Sequence, residues 1–189
     1  SEVQRFISII KSELIDLKDD GSLWLNQSYF NYATGLSMIN KKKWEKLFNL
    51  PTRKRESELE QVHCNLGLAI QMITEEVVNK MAIEAKKITG SDNLCLAGGV
   101  ALNCVSNGKL INSSIFKNVY LQPAAGDAGG ALGAALAAYY ISFGNKRNID
   151  PNKYDNMKGS YLGCEFSTKE IITTLKKYKA NFTKYDTFS

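Results

Sequence analysis

The sequence predicts an α/β fold with parallel strands, on three observations. Short apolar strand patterns at Asn93–Leu96 and at residues 119–121 alternate with helical patterns at 101–111 and 131–141. Each strand pattern runs into a glycine turn, Gly98-Gly99 in one case and residues 126–130 in the other. A long helical pattern through Leu59, Val62, Leu66, Ile70, Ile73, Val77 and Met81 precedes the first strand. Strand, helix, strand, helix in this order is the signature of βαβ units with a parallel sheet.

The remaining elements follow in chain order. Val3, Phe6, Ile7, Ile10, Leu14 and Leu17 recur at helical spacing and predict an amphipathic helix over residues 2–18, ended by Asp19-Asp20-Gly21. Residues 23–32 are aromatic-rich and read as a strand or irregular hairpin. The lysine run at 41–43 and the segment 44–48 read as a short helix, and residues 51–55 as a basic loop. The long helical pattern covers residues 58–87, with Thr89-Gly90-Ser91 as its stop. Residues 147–159 are polar and read as a loop, and 161–163 as an edge strand. Ser167, with Glu170 three residues on, predicts a capped final helix. No internal repeat and no low-complexity linker interrupts the chain.

A chain of 189 residues suits one domain with a sizeable core and a small appendage. A hydrophobic fraction of 44% and a charged fraction of 23% are those of a globular protein and argue against disorder. The net charge of +5 comes largely from local runs, 41–43, 53–55 and the lysines between 169 and 184. Solvated faces explain such runs, and an anionic ligand is the functional alternative. Nucleic acid is not expected as a partner, because no aromatic–basic alternation, zinc finger or arginine-rich arm is present. Cys64, Cys95, Cys104 and Cys164 form no C-x-x-C pair, and His63 completes no zinc set with them. Cys95, inside a strand pattern, is expected to be a buried thiol. This usage points to a reducing, cytoplasmic setting. Residues 1–17 are amphipathic and charged, unlike a leader peptide. The uncharged stretch 128–144 is shorter than the ~20 apolar residues of a membrane helix, so no membrane association is expected.

The chemistry concentrates in residues 94–135. Two parallel strands joined by a right-handed crossover present their carboxyl ends on one sheet edge, where α/β sheets bind ligands. Gly98, Gly99, Gly126 and Gly129 therefore belong to two loops opening on the same side. Each loop leads into a helix start, whose unpaired N–H groups suit phosphate, and glycine permits close approach of an anion. Tight strand-to-helix packing is the structural alternative for each loop. Asp127 suits a divalent cation bridging a phosphate, or an N-cap. Asn103, read as one turn into the first helix, suits a ribose or phosphate contact, or a local backbone bond.

These residues carry a resemblance. Residues 96–103 (LAGGVALN), 107–110 (NGKL) and 122–133 (QPAAGDAGGALG) resemble the hallmark run of the NodU-type O-carbamoyltransferases. Weaker similarity covers 20–30, 47–57 and 161–171, so the resemblance extends over most of the chain. It implies the second half of an actin/sugar-kinase-like (RNase H-like) domain, three-layered, with a mixed and partly parallel sheet. Residues 1–145 would be a partial nucleotide-binding domain, and 146–189 a linker and the start of a C-terminal domain. It further implies ATP and carbamoyl phosphate as substrates, a carbamoyl-adenylate intermediate, and a small-molecule hydroxyl acceptor. Gly98, Gly99 and Asn103 match the family's nucleotide-contacting motif. Asp127 matches the carboxylate that joins two histidines around a divalent metal, with iron, magnesium and manganese as candidates.

The chain departs from the family in lacking the paired histidines. His63 stands alone on a helical pattern and reads as an ordinary helix residue. The other phosphate loop and the C-terminal domain are also missing, so the expectation is an excised segment whose partners are the rest of its parent. A half-domain exposes apolar surface and suits a homo-oligomer. Two readings stand: a segment of an ATP-dependent carbamoyltransferase, inactive alone, and a non-catalytic module binding a nucleotide or a partner. A sugar kinase of the same superfamily fits the fold but not residues 122–133.

Overall fold

The computed structural model describes residues 1–150, 152 and 157–185. The chain divides into two units, Ser1–Ala135 and Leu136–Ser189.

In the first unit, Ser1 caps α1 (Glu2–Ile9), its side chain accepting from the Gln4 N–H. The predicted helix over 2–18 is shorter than its periodicity. It continues as a π-helical turn, Ile10–Leu14, and then becomes strand β1 (Ile15–Leu17). Ile15, Asp16 and Leu17 pair antiparallel with Leu25, Trp24 and Leu23 of β2 (Leu23–Leu25). Cross-strand pairing thus captures residues that local spacing assigns to a helix. The turn between these strands is held by Asp20, which accepts from the Ser22 N–H at 2.9 Å and its hydroxyl at 2.7 Å. Gly21 has φ +82°, and a Cβ there would stand 2.6 Å from the Met81 nitrogen. The turn therefore rests directly on the backbone of the long helix.

In the segment 23–32, read as a strand or irregular hairpin, the strand is confined to β2. Asn26 starts a 3-10 turn, Gln27–Tyr29, and Phe30 makes an isolated bridge to Ile39. Asn40 caps α2 (Lys41–Phe48), and Asn49 ends it in the left-handed region at φ 51°. Helix α3 (Gln61–Thr89) opens with the Glu60 N–H donating to His63 Nδ1 at 3.0 Å and closes on Gly90 at φ 62°. His63 is thus a half-buried helix residue, placed in the first turn of α3.

One core joins α1, α2 and α3 through Phe6, Ile10, Leu14, Phe48, Ala69 and Ile73. Phe6 and Phe48 meet edge-to-face with ring centroids 5.6 Å apart. Burying each of these rings contributes about 1.5–3 kcal/mol. Trp44 packs on Phe48 and donates its indole N–H to the Tyr29 carbonyl at 2.9 Å. A second core of Ala82, Leu110 and Phe116 fixes the far half of α3 to the α/β segment.

That segment contains β3 (Asn93–Leu96), a 3-10 turn Gly99–Leu102, α4 (Cys104–Asn112), β4 (Asn118–Leu121) and α5 (Asp127–Ala137). β3 and β4 are parallel, with Asn93 opposite Asn118 and Leu96 opposite Leu121. The α/β character is as predicted. The antiparallel pair β1–β2 and the parallel pair β3–β4 are separate two-stranded sheets. The predicted helix at 101–111 is split, because the Asn103 side chain caps a new helix there. The helix read at 131–141 starts earlier, at Asp127, so the predicted glycine turn at 126–130 is mostly the first turn of α5. Cys95 is exposed rather than buried. Leu94 and Leu96 turn inward onto the second core, and strand alternation puts Cys95 on the other face.

In the second unit a π-helical turn, Ala138–Ser142, follows α5. No strand forms at the predicted edge position, residues 161–163. The predicted loop at 147–159 includes residues 151 and 153–156, which lie outside the described residues, and a 3-10 turn at Lys158–Ser160. Helix α6 (Thr168–Lys177) carries the predicted capping box. The Ser167 hydroxyl accepts from the Glu170 N–H at 3.3 Å, and the Glu170 carboxylate accepts from the Ser167 N–H at 2.7 Å.

Candidate functional site

The two glycine loops meet where β3 and β4 end. The Gln122 N–H donates to the Leu96 carbonyl at 3.0 Å, extending the strand ladder by one step. The Gly98 N–H donates to the Ala125 carbonyl at 2.9 Å. Both loops, and the starts of α4 and α5 behind them, therefore share one sheet edge, as predicted from the parallel crossover.

The glycines differ in role. Gly98 lies at φ 97° and ψ 160°, a conformation reached essentially by glycine alone. Around Gly98, Gly99 and Gly126 a Cβ would meet no atom within 4 Å, so their backbone faces are open. Gly129 is the opposite case, because a Cβ there would collide with the Ala124 carbonyl oxygen. Gly129 serves the tight entry into α5 and offers no open face. Among the described residues, the N–H groups of Gly99, Val100, Asp127 and Ala128 donate to no backbone carbonyl. Helix starts of this kind carry partial positive charge.

Asp127 is the first residue of α5 and is exposed. Its carboxylate is engaged in no hydrogen bond or ion pair among the described residues. The described residues contain no group of three or more His, Cys, Asp or Glu that could hold a metal ion. One carboxylate is too small a donor set, so the described residues by themselves do not fit a metal centre.

Asn103 is the N-cap of α4. Its Oδ1 accepts from the Ser106 N–H at 3.0 Å and from Gln71 Nε2 at 3.1 Å. Its Nδ2 donates to Gln71 Oε1 at 2.8 Å. Gln71 Nε2 also donates to Glu75 Oε1 at 2.9 Å, and Glu75 pairs with Lys109 of α4. The Lys109 ammonium, and then the Gln71 amide, hold the Glu75 carboxyl below its ordinary value of 4.5. Asn107 is buried and donates to the Ala101 carbonyl at 2.8 Å, tying the 3-10 turn to α4. Gln71 and Glu75 escaped the sequence reading, and Lys109 entered it only within the NGKL segment, without a role. The available signal is Gln71 and Glu75 one turn apart, a polar pair inside a largely apolar stretch of α3.

A sequence profile described as the carbamoyltransferase N-terminus matches residues 2–136. The chain belongs to the carbamoyltransferase family. Its similarities place it with the NodU-type members. An uncharacterized protein of Synechocystis sp. is 49% identical over 172 residues, which is 91% of this chain and 28% of that protein. Nodulation protein NolO of Bradyrhizobium diazoefficiens is 44% identical over 90 residues, 48% of this chain and 16% of that protein. The 3'-hydroxymethylcephem-O-carbamoyltransferase of Streptomyces clavuligerus is 28% identical over 101 residues, 53% of this chain and 19% of that enzyme. This carbamoyltransferase chain thus spans less than a third of the length of these relatives. Among the described residues, no helix is long and apolar enough to cross a membrane.

Proposed function

We propose that this chain supplies one face of the nucleotide site of an ATP-dependent carbamoyltransferase. In this reading the parent enzyme, cytoplasmic, forms carbamoyl-adenylate from carbamoyl phosphate and ATP. It then passes the carbamoyl group to a hydroxyl of a small acceptor. Residues 1–145 are the partial nucleotide-binding domain, of actin/sugar-kinase-like descent, and 146–189 the linker and the start of the next domain. The observation that carries the proposal is the pair of open-faced glycine loops on one sheet edge, each followed by N–H groups without backbone partners. A relative whose name specifies O-carbamoylation of a hydroxymethyl group supports the acceptor class.

The roles follow from electrostatics. The N–H groups of Gly99 and Val100 and the start of α5 receive phosphate oxygens and disperse the charge that develops on them. Gly98 and Gly126 keep the approach free of side chains. Asn103 borders the same loop. Asp127 contributes one carboxylate toward a divalent cation, whose remaining ligands would come from outside this chain.

Two measurements test the proposal. In the full-length gene product, Asp127→Asn is expected to abolish ATP-dependent carbamoyl transfer while the thermal unfolding midpoint stays unchanged. Normal turnover in that variant removes Asp127 from the site. Calorimetric titration of ATP with magnesium into the 189-residue chain, with AMP as control, is expected to give little or no binding if the site is divided between two halves. Clear binding would instead support a self-sufficient nucleotide module.

A further inference from the structure

We infer that Gln71 is a positioning residue that locks Asn103 as a hydrogen-bond donor beside the glycine loop, an inference resting on the nucleotide reading above. The Ser106 N–H only donates, so the Asn103 atom facing it at 3.0 Å must be the carbonyl oxygen. Asn103 then presents Nδ2 on its other side. That amide orientation is held from a second direction by Gln71, which meets it in a two-bond fork of 3.1 and 2.8 Å.

The orientation of Gln71 is itself determined. Its Nε2 donates to the Glu75 carboxylate at 2.9 Å, and a carboxylate only accepts. Reversing the Gln71 amide would set its oxygen against Glu75 and against Asn103 Oδ1 at once. Glu75 is kept ionised by Lys109, which reaches it from α4. A relay therefore runs Lys109, Glu75, Gln71, Asn103, with every amide orientation fixed by a group of unambiguous polarity. It spans α3 and α4, and the side chains of Gln71 and Asn103 are partly buried where they meet.

The chemical consequence is specific. Both acceptor positions on Asn103 Oδ1 are occupied, and one Nδ2 hydrogen is used. Among the described residues, what Asn103 retains is a single amide N–H. A ligand that meets this side chain must offer an acceptor, such as a phosphoryl, carbonyl or hydroxyl oxygen, and not a donor-only group such as an ammonium. The Ser106 cap selects this orientation, and the Gln71 fork holds it from the other side before a ligand arrives, which lowers the ordering cost of binding.

The test is a double-variant cycle on ATP affinity in the full-length gene product, measured calorimetrically with magnesium present. Gln71→Met keeps size and removes the fork. It is expected to weaken ATP binding about five- to tenfold, the scale of one net hydrogen bond. Asn103→Ala weakens it at least as much. The combined variant should bind no worse than Asn103→Ala alone, because Gln71 acts only through Asn103. A purely structural role would instead add a further loss. Gln71→Met with wild-type affinity, while Asn103→Ala is impaired, overturns the positioning role and leaves the nucleotide reading intact. Wild-type affinity in both variants, or no ATP binding by the unaltered protein, overturns the nucleotide reading itself. The lock is then judged by amide hydrogen exchange at Ser106. Gln71→Met should accelerate that exchange about tenfold, and an unchanged rate rejects it.

Discussion

At the scale of single residues, the two glycine loops separate access from packing. Gly126 and Gly129 stand three positions apart in the same run, and the sequence treats them alike. In three dimensions one faces open space and the other lies against the Ala124 carbonyl. Gly129→Ala is therefore expected to destabilise the fold by about 1–3 kcal/mol through overpacking. Gly126→Ala should leave stability within about 0.5 kcal/mol, as substitutions free of contacts do. Denaturant midpoints of the two variants check this, and equal destabilisation of both would undo the distinction. The loops themselves were legible, because glycine after an apolar strand is a strong local signal. Their division of labour was not, since it depends on a carbonyl brought close only by the folded turn. Asn103 shows the same limit: its residue type suggests a cap or a ligand contact, and only the fold reveals the Gln71 fork.

At the scale of elements, periodicity located every long helix and both parallel strands, and erred where tertiary pairing competes with spacing. Residues 15–17 fit the helical stripe of α1 but gain an antiparallel partner in β2. Residues 101–102 fit the helical pattern of α4 but belong to the 3-10 turn, because Asn103 caps a new helix after them. The junctions between elements are held by ion pairs that local patterns do not reveal. Asp92, just after α3, lies between Lys117 at 2.6 Å and Lys86 at 2.8 Å. Lys117 first, and then Lys86, hold its carboxyl below the ordinary 3.8. Glu75 is held below 4.5 in the same sense by Lys109. A carboxylate with a lowered value in the folded state stabilises the fold above its unfolded value and loses that contribution as pH falls through the lowered one. The fold should thus be insensitive to pH between about 5 and 7, then lose stability progressively below about 4.5. Glu75→Gln should flatten part of that acid limb in chemical unfolding followed from pH 7 to pH 3. An unchanged limb would remove Glu75 from the set.

At the scale of the whole molecule, the long helix α3 is the element most at odds with a self-contained fold. It runs for 29 residues, yet only Ala69, Ile73 and Ala82 along it are buried. Leu68, Ile70, Met72, Met81 and Ile83 remain exposed or half-exposed on its surface. An apolar groove of about 440 Å³ beside it is lined by Leu14, Leu23, Phe30, Trp44, Val77 and Val100 among others. A helix buried this sparsely, with apolar side chains around much of its circumference, presents a surface suited to further association. That agrees with a chain spanning 28% of its Synechocystis relative. Composition gave only a hint of this, because average hydrophobicity does not say which apolar residues find partners. The isolated 189-residue chain is therefore expected to self-associate and to bind a hydrophobic dye such as ANS in its folded state. Sedimentation velocity over a hundredfold concentration range should show the average mass rising with concentration. Met81→Lys with Ile70→Glu, which place charge on the exposed stripe, should shift it toward the 21.0 kDa monomer. A monomeric wild-type chain without dye binding at every concentration would mean that this surface is tolerated in water. The case for a larger parent body would then rest on the length of the relatives alone.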